Sequence, residues 1–127
     1  MKKRIIGSAI GICLIIFVLL LFRQNEVTVY IGIAKSDLKG LPIQISIDET
    51  IIFNDTLVNN PYKYELKNAT LNGGLHSVSM VTSDGYKEDK NVFILFDQHL
   101  VIEYYAPCRS NDQCFDVRNR LTKFRVD

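Results

Sequence analysis

Hydrophobic and polar positions in this chain follow two regimes. From Ile5 to Phe22, eighteen residues pass without a charge, and nearly all are apolar. Beyond residue 26, apolar side chains recur at every second position. Eighteen helical residues at 1.5 Å each reach about 27 Å, close to the roughly 30 Å hydrocarbon core of a bilayer. The first regime therefore predicts one membrane-spanning helix. The second predicts strands, because a period of two puts every apolar side chain on one face of a pleated backbone.

Read along the chain, the alternation gives about seven short strands. Val27, Val29, Ile31 and Ile33 share one face of the first. Ile43, Ile45 and Ile47 share a face of the second, with Gln44, Ser46 and Asp48 opposite. Asp48-Glu49 makes a turn into Thr50-Ile51-Ile52-Phe53, and Asn59-Asn60-Pro61 breaks the chain before Tyr62, Tyr64 and Leu66. Asn72-Gly73-Gly74 turns into His76, Val78 and Met80, and Asp84-Gly85 marks a hairpin. Val92 to Phe96 is continuously apolar, as in a central strand covered on both sides, and Leu100, Ile102 and Tyr104 alternate after Asp97-Gln98-His99. No segment from 26 to 105 carries a 3.6-residue period. The expected fold is all-β: an antiparallel, immunoglobulin-like sandwich behind one N-terminal helix.

The flanks of the apolar run decide its role. Lys2, Lys3 and Arg4 precede it and only Arg23 follows closely, so the positive-inside bias keeps the N-terminus cytoplasmic and places the rest outside, periplasmic or extracellular. A cleaved secretory signal needs a small-x-small site at its exit, and Leu20-Leu21-Phe22-Arg23-Gln24-Asn25 has none. An uncleaved anchor over residues 1–23, with Ile5 and Phe22 bounding the apolar run, is the favoured reading. Cys13 follows Ile12 rather than a small residue, so it reads as an apolar side chain facing lipid, not a lipidated terminus. Gly7 and Gly11 form a Gly-x-x-x-Gly pair that can let two such helices approach, although glycine is common in membrane helices in any case. Almost no linker separates Arg23 from the first strand, so the domain over residues 24–107 must sit close to the membrane surface.

Charge narrows the partners. The formal net charge is +1, but residues 24–105 hold six Lys or Arg against eleven Asp or Glu, and residues 106–127 hold five against three. An acidic body argues against nucleic acid, which is bound by a clustered basic face. Cys108 and Cys114 enclose five polar residues, and outside the membrane such a pair oxidises, closing a loop worth about 2 kcal/mol in the chain-entropy picture. In the remaining tail, Cys114, Val117, Leu121 and Phe124 recur at helical spacing while Arg118, Arg120, Lys123 and Arg125 project elsewhere. That pattern fits a short basic helix meeting lipid or a partner, a helix packed on the sandwich, or an added strand using Phe124 and Val126.

Three stretches carry a family resemblance: Ile43-Gln-Ile-Ser-Ile-Asp-Glu-Thr, then Gly74-Leu-His76-Ser-Val78-Ser-Met80, then Asp84-Gly85-Tyr86. Together, over residues 43–105, they resemble PEGA-type envelope domains. Glu49 stands where that pattern prefers Gly, and the namesake Pro-Glu-Gly-Ala stretch is missing. The resemblance implies a small β-sandwich in the cell envelope and no reaction.

Candidate chemistry is sparse. There is no phosphate-binding glycine loop, no His-Glu-x-x-His and no nucleophile elbow, so no catalytic residues, metal or cofactor are assigned. His76, on an alternating strand, reads as a hydrogen-bonded core residue, and His99, beside Asp97 and Gln98, as solvated. The expectation is a single-pass, non-enzymatic accessory subunit with protein partners in an envelope complex. Alternatives are a module binding cell-wall glycan or a metal ion, and a small hydrolase using His76 with a nearby carboxylate.

Overall fold

The structure is a computed structural model, and it describes residues 2–35, 41–57, 64–83, 85–105 and 114–121. A helix, α1 (Lys2–Phe22), is followed by β1 (Gln24–Lys35), β2 (Leu41–Ile47), β3 (Thr50–Leu57), β4 (Glu65–Asn72), β5 (Gly74–Thr82), β6 (Lys87–Ile94), β7 (Gln98–Tyr105) and β8 (Phe115–Arg120). The strands form two four-stranded sheets, ordered β4-β1-β7-β8 and β3-β2-β5-β6. All-β architecture behind an apolar helix is therefore correct. Two details differ from the expectation: the described residues form eight strands, and among them β1 pairs with β7 in parallel while every other pairing is antiparallel.

Period two explains the core directly. Val27, Val29, Ile31 and Ile33 from β1 meet Ile43, Ile45 and Ile47 from β2, Val78 and Met80 from β5, and Leu100 and Ile102 from β7, all buried in one cluster. The residues between them face away, so a one-residue slip would turn every apolar side chain out. Where the expectation missed, local features account for it. The run Val92 to Phe96 is not a central strand: β6 is an edge strand, with Val92 and Ile94 inward and Phe93 and Phe96 exposed. β7 is covered on both sides instead: Val101 is buried on the outer face as fully as Leu100 and Ile102 on the inner. In β4, Leu66 faces out, and the half-buried Ala69 and Leu71 face in. A bulge at Ile52 opposite Ile45 and Ser46 breaks the alternation of β3, leaving Ile51 exposed and Ile52 against the core.

The tail is a strand as far as it is described. Residues 115–120 pair with β7 rather than forming a helix, and Phe115 and Cys114 join the core. Phe115, Val117 and Asn119 lie on one face, a period of two that the apolar residues at 114, 117 and 121 had masked. Asn59-Asn60-Pro61, Tyr62, Asp84, Cys108, Lys123, Phe124, Arg125 and Val126 lie outside the described residues.

Only Arg23 separates α1 from β1. Its carbonyl accepts from the Gly73 N–H at 3.1 Å and from Asn25 Nδ2 at 3.2 Å, which satisfies backbone at the helix end. Asp97 lies 3.8 Å from the Arg23 guanidinium and accepts from the Glu26 N–H at 2.9 Å. A Cβ added at Gly73 would stand 2.2 Å from the Leu20 carbonyl oxygen, so only glycine allows this approach. The helix is thereby fixed to the end of the sandwich where β4 turns into β5 and β6 into β7. None of the eighteen-residue apolar span from Ile5 to Phe22 is buried by the domain.

Candidate functional site

Three constellations stand out from the bland polar surface. The first is the side of the sandwich where β3 and β4, the terminal strands of their sheets, run beside each other. A groove of about 400 Å³ opens between them, with Ile51 and Ile52 on one wall and Lys67, Ala69 and Leu71 on the other. Lys67 Nζ sits 5.9 Å from the Phe53 ring centroid, so a cation lies at one end of a groove whose lining mixes Ile47, Ile51, Ile52 and Leu71 with Asp48, Thr50, Asn68 and Thr70. Among the described residues, each wall pairs through only one of its edges, leaving a row of backbone donors and acceptors on the other.

The second is a buried carboxylate on the outer face of the first sheet. Glu103 on β7 is nearly inaccessible, yet three donors converge on it. Tyr64 gives Glu103 Oε1 a hydrogen bond of 2.6 Å, Tyr105 gives Oε2 one of 3.0 Å, and Arg118 from β8 forms an ion pair with Oε2. Asp116 flanks Arg118 Nε at 3.4 Å. Gly32 makes this possible: it is opposite Glu103 in the sheet, and a Cβ there would stand 2.7 Å from two ring carbons of Tyr64. Burial, the hydrogen bond to Glu103 and the charge of that carboxylate together push the Tyr64 phenol up to about 12. Both oxygens of Glu103 are thus engaged within the chain, Oε1 by one donor and Oε2 by two, and the cluster clamps Tyr64 and β8 onto β7. Gly32→Ala should force the Tyr64 ring off the sheet at a cost of about 1–3 kcal/mol. In that variant one phenol should move down toward the ordinary value near 10 in a spectrophotometric titration, and the melting temperature should fall with it.

The third is His76, buried on β5. Its Nδ1 faces Asp48 Oδ2 and its Nε2 faces the Asn72 carbonyl oxygen at 2.7 Å, while Asp48 Oδ1 accepts from the Ser77 N–H at 2.9 Å. Both ring nitrogens are thus engaged within the chain, one by a carboxylate and the other by a backbone carbonyl. His76 therefore clips the β2–β3 turn onto the β4–β5 turn. The clip offsets strain, because Asp48 and Glu49 adopt φ of 48° and 69°, a region that favours glycine. Burial pushes the Asp48 carboxyl up, but the bonds from His76 and Ser77 and the His76 charge outweigh it and hold the group below its ordinary value. Stability from this carboxylate is therefore present above the unfolded value near pH 4 and lost as pH falls through the lowered folded value. Urea unfolding followed from neutral to strongly acid pH should show an acid-side decline that is shallower in Asp48→Asn.

The residues singled out from sequence are scattered. Arg118 and Arg120 lie on β8, Arg118 engaged by Glu103 and Asp116, and Arg120 opposite His99. Lys123 and Arg125 lie outside the described residues. Cys114 is buried at the head of β8, and its proposed partner Cys108 lies outside the described residues. Cys13 is a free thiol exposed on α1, where nothing packs within 4 Å of a Cβ built at Gly7 or Gly11. His99 is not in a turn: it lies half-buried on β7 with its ring 5.9 Å from that of Tyr30. Among the described residues no three His, Cys, Asp or Glu side chains gather closely enough to hold a metal ion. The groove, the Glu103 clamp and the Asp48–His76 clip were missed from sequence, since each joins residues far apart in the chain. Compared with known proteins, the chain matches no family model, and no curated protein resembles it closely enough to count as a relative.

Proposed function

We propose that this chain is a single-pass membrane protein whose exported β-sandwich is a non-catalytic interaction module, an accessory subunit of an envelope complex. The observation that carries the reading is the open β3–β4 side, where two strand edges that pair with no other strand among the described residues flank a partly apolar groove. An extended segment of a partner protein fits such a place: its main chain adds to one edge, and alternate side chains fill the groove. Exposed Ile51 supplies apolar contact, and Lys67 and Glu65 keep the edge from pairing indiscriminately with other copies.

The anchor half of the proposal is supported by the eighteen-residue apolar span of α1 and the basic residues before it. Facing an oxidising exterior, Cys114 pairs with Cys108 and ties down the start of β8. The resemblance to PEGA-type domains fits an envelope location.

The test is a photo-crosslinking amino acid placed singly at Ile51, Asn68 or Asn91 of the full chain in its native membrane. The proposal predicts one defined heavier adduct from Ile51 and Asn68 and none from Asn91, which is exposed on the far face of β6. Equal crosslinking at all three positions, or none at the groove, would contradict it.

A further inference from the structure

Seven large apolar side chains outside α1 are exposed among the described residues, and four of them lie at one end of the sandwich. Leu75 is 68% exposed and sits directly opposite Phe93, 47% exposed, on the outer face of the β5–β6 pair. Phe96, 44% exposed, lies in the β6–β7 turn beside Asp97, and Leu121, 68% exposed, follows β8 where it meets the start of β7. This is also the end from which α1 departs. The Gly73 backbone rests against Leu20 and Leu21, within the last turn of the apolar span, and a Cβ at Gly74 would touch the Leu21 side chain at 3.8 Å.

That contact fixes a depth. A helix that crosses the bilayer with Ile5–Phe22 holds Leu20 and Leu21 inside the apolar layer or at its boundary. Backbone packed against those residues sits at the same level. The joint cannot swing far, since the Arg23 carbonyl takes two hydrogen bonds from the domain and the Arg23 side chain pairs with Asp97. We infer that Leu75, Phe93, Phe96 and Leu121 form an apolar rim that rests in the headgroup layer, giving the domain a second contact with the membrane. The inference rests on the anchor reading proposed above. Charges at this end are mixed, Arg23 and Arg120 against Glu26, Glu49 and Asp97, so removal of apolar surface from water drives the contact, and net charge adds little. Clustered exposure at one end, continuous with the exit of the span, is what distinguishes this rim from apolar residues scattered singly over a surface.

The chain has no tryptophan, so a single one reports its own position. Leu75→Trp, Phe93→Trp and Phe96→Trp, with Ser83→Trp at the opposite end of β5 roughly 30 Å away, would be reconstituted as full chains in phosphatidylcholine vesicles. At a depth of about 5–10 Å, the three rim tryptophans should lose roughly half their emission to lipids spin-labelled near the headgroup, and Ser83→Trp should lose almost none. Adding phosphatidylglycerol should change little. Vesicle flotation of the chain with rim quenching no greater than at Ser83→Trp, as when a second copy covers the rim, overturns this inference alone. A chain that does not float with the vesicles overturns the anchor reading and this inference together.

Discussion

Phe115→Ala is expected to destabilise the domain by roughly 3–5 kcal/mol, the range for emptying a buried aromatic site. Phe115 is 1% exposed and heads the strand that completes the first sheet. In a domain of about a hundred residues such a loss lowers the melting temperature by roughly 15–30 °C. Leu121→Ala, which trims an exposed apolar side chain just past the end of the strand, should shift it by only a degree or two. Circular dichroism melts of both variants in detergent check this. A small effect at Phe115 would mean that β8 lies loosely on the sheet and that the chain after Tyr105 contributes nothing to the core.

The second large effect concerns α1. An arginine at the middle of a membrane span costs about 3 kcal/mol on insertion scales, a change of more than a hundredfold in the insertion equilibrium. Leu14→Arg places it there, whereas Phe22→Arg places it at the boundary, beside Arg23, where a long side chain reaches the headgroups. The fraction of protein resisting alkaline carbonate extraction should collapse for Leu14→Arg and stay nearly unchanged for Phe22→Arg. Equal extraction of both variants would remove the basis for a spanning helix.

The strands were legible wherever one face is aliphatic and the other polar, as in Val27 to Ile33, Ile43 to Ile47 and His76 to Met80, because burial on one side writes itself into alternate residues. Legibility failed where burial departs from that rule. Val101 and Glu103 are buried on the outer face of β7, under covering groups contributed from elsewhere in the chain, and nothing local signals that. Phe93 and Phe96 look like core residues but belong to an edge strand and a turn at the end where the helix leaves. The tail misled because Cys114, Val117 and Leu121 happen to match a helical spacing, while strand pairing with β7 proved decisive for residues 115–120. The sites were less readable still. Glu103 meets Tyr64 from thirty-nine positions away and His76 meets Asp48 from twenty-eight, distances that only the sheet registers bring together. Gly32 left a trace, a glycine inside an otherwise unbroken strand pattern, which marks close approach of another group.

In the proposed arrangement α1 stays attached and holds the sandwich against the outer surface of the membrane. Right-side-out vesicles carrying the native protein would be washed with carbonate, split into samples with and without external protease, and read by intact mass. The expected product is a membrane-retained chain that still includes Ile5–Phe22 and loses its domain only when protease is added outside. A soluble species beginning after Phe22, or a domain shielded from external protease, would contradict it.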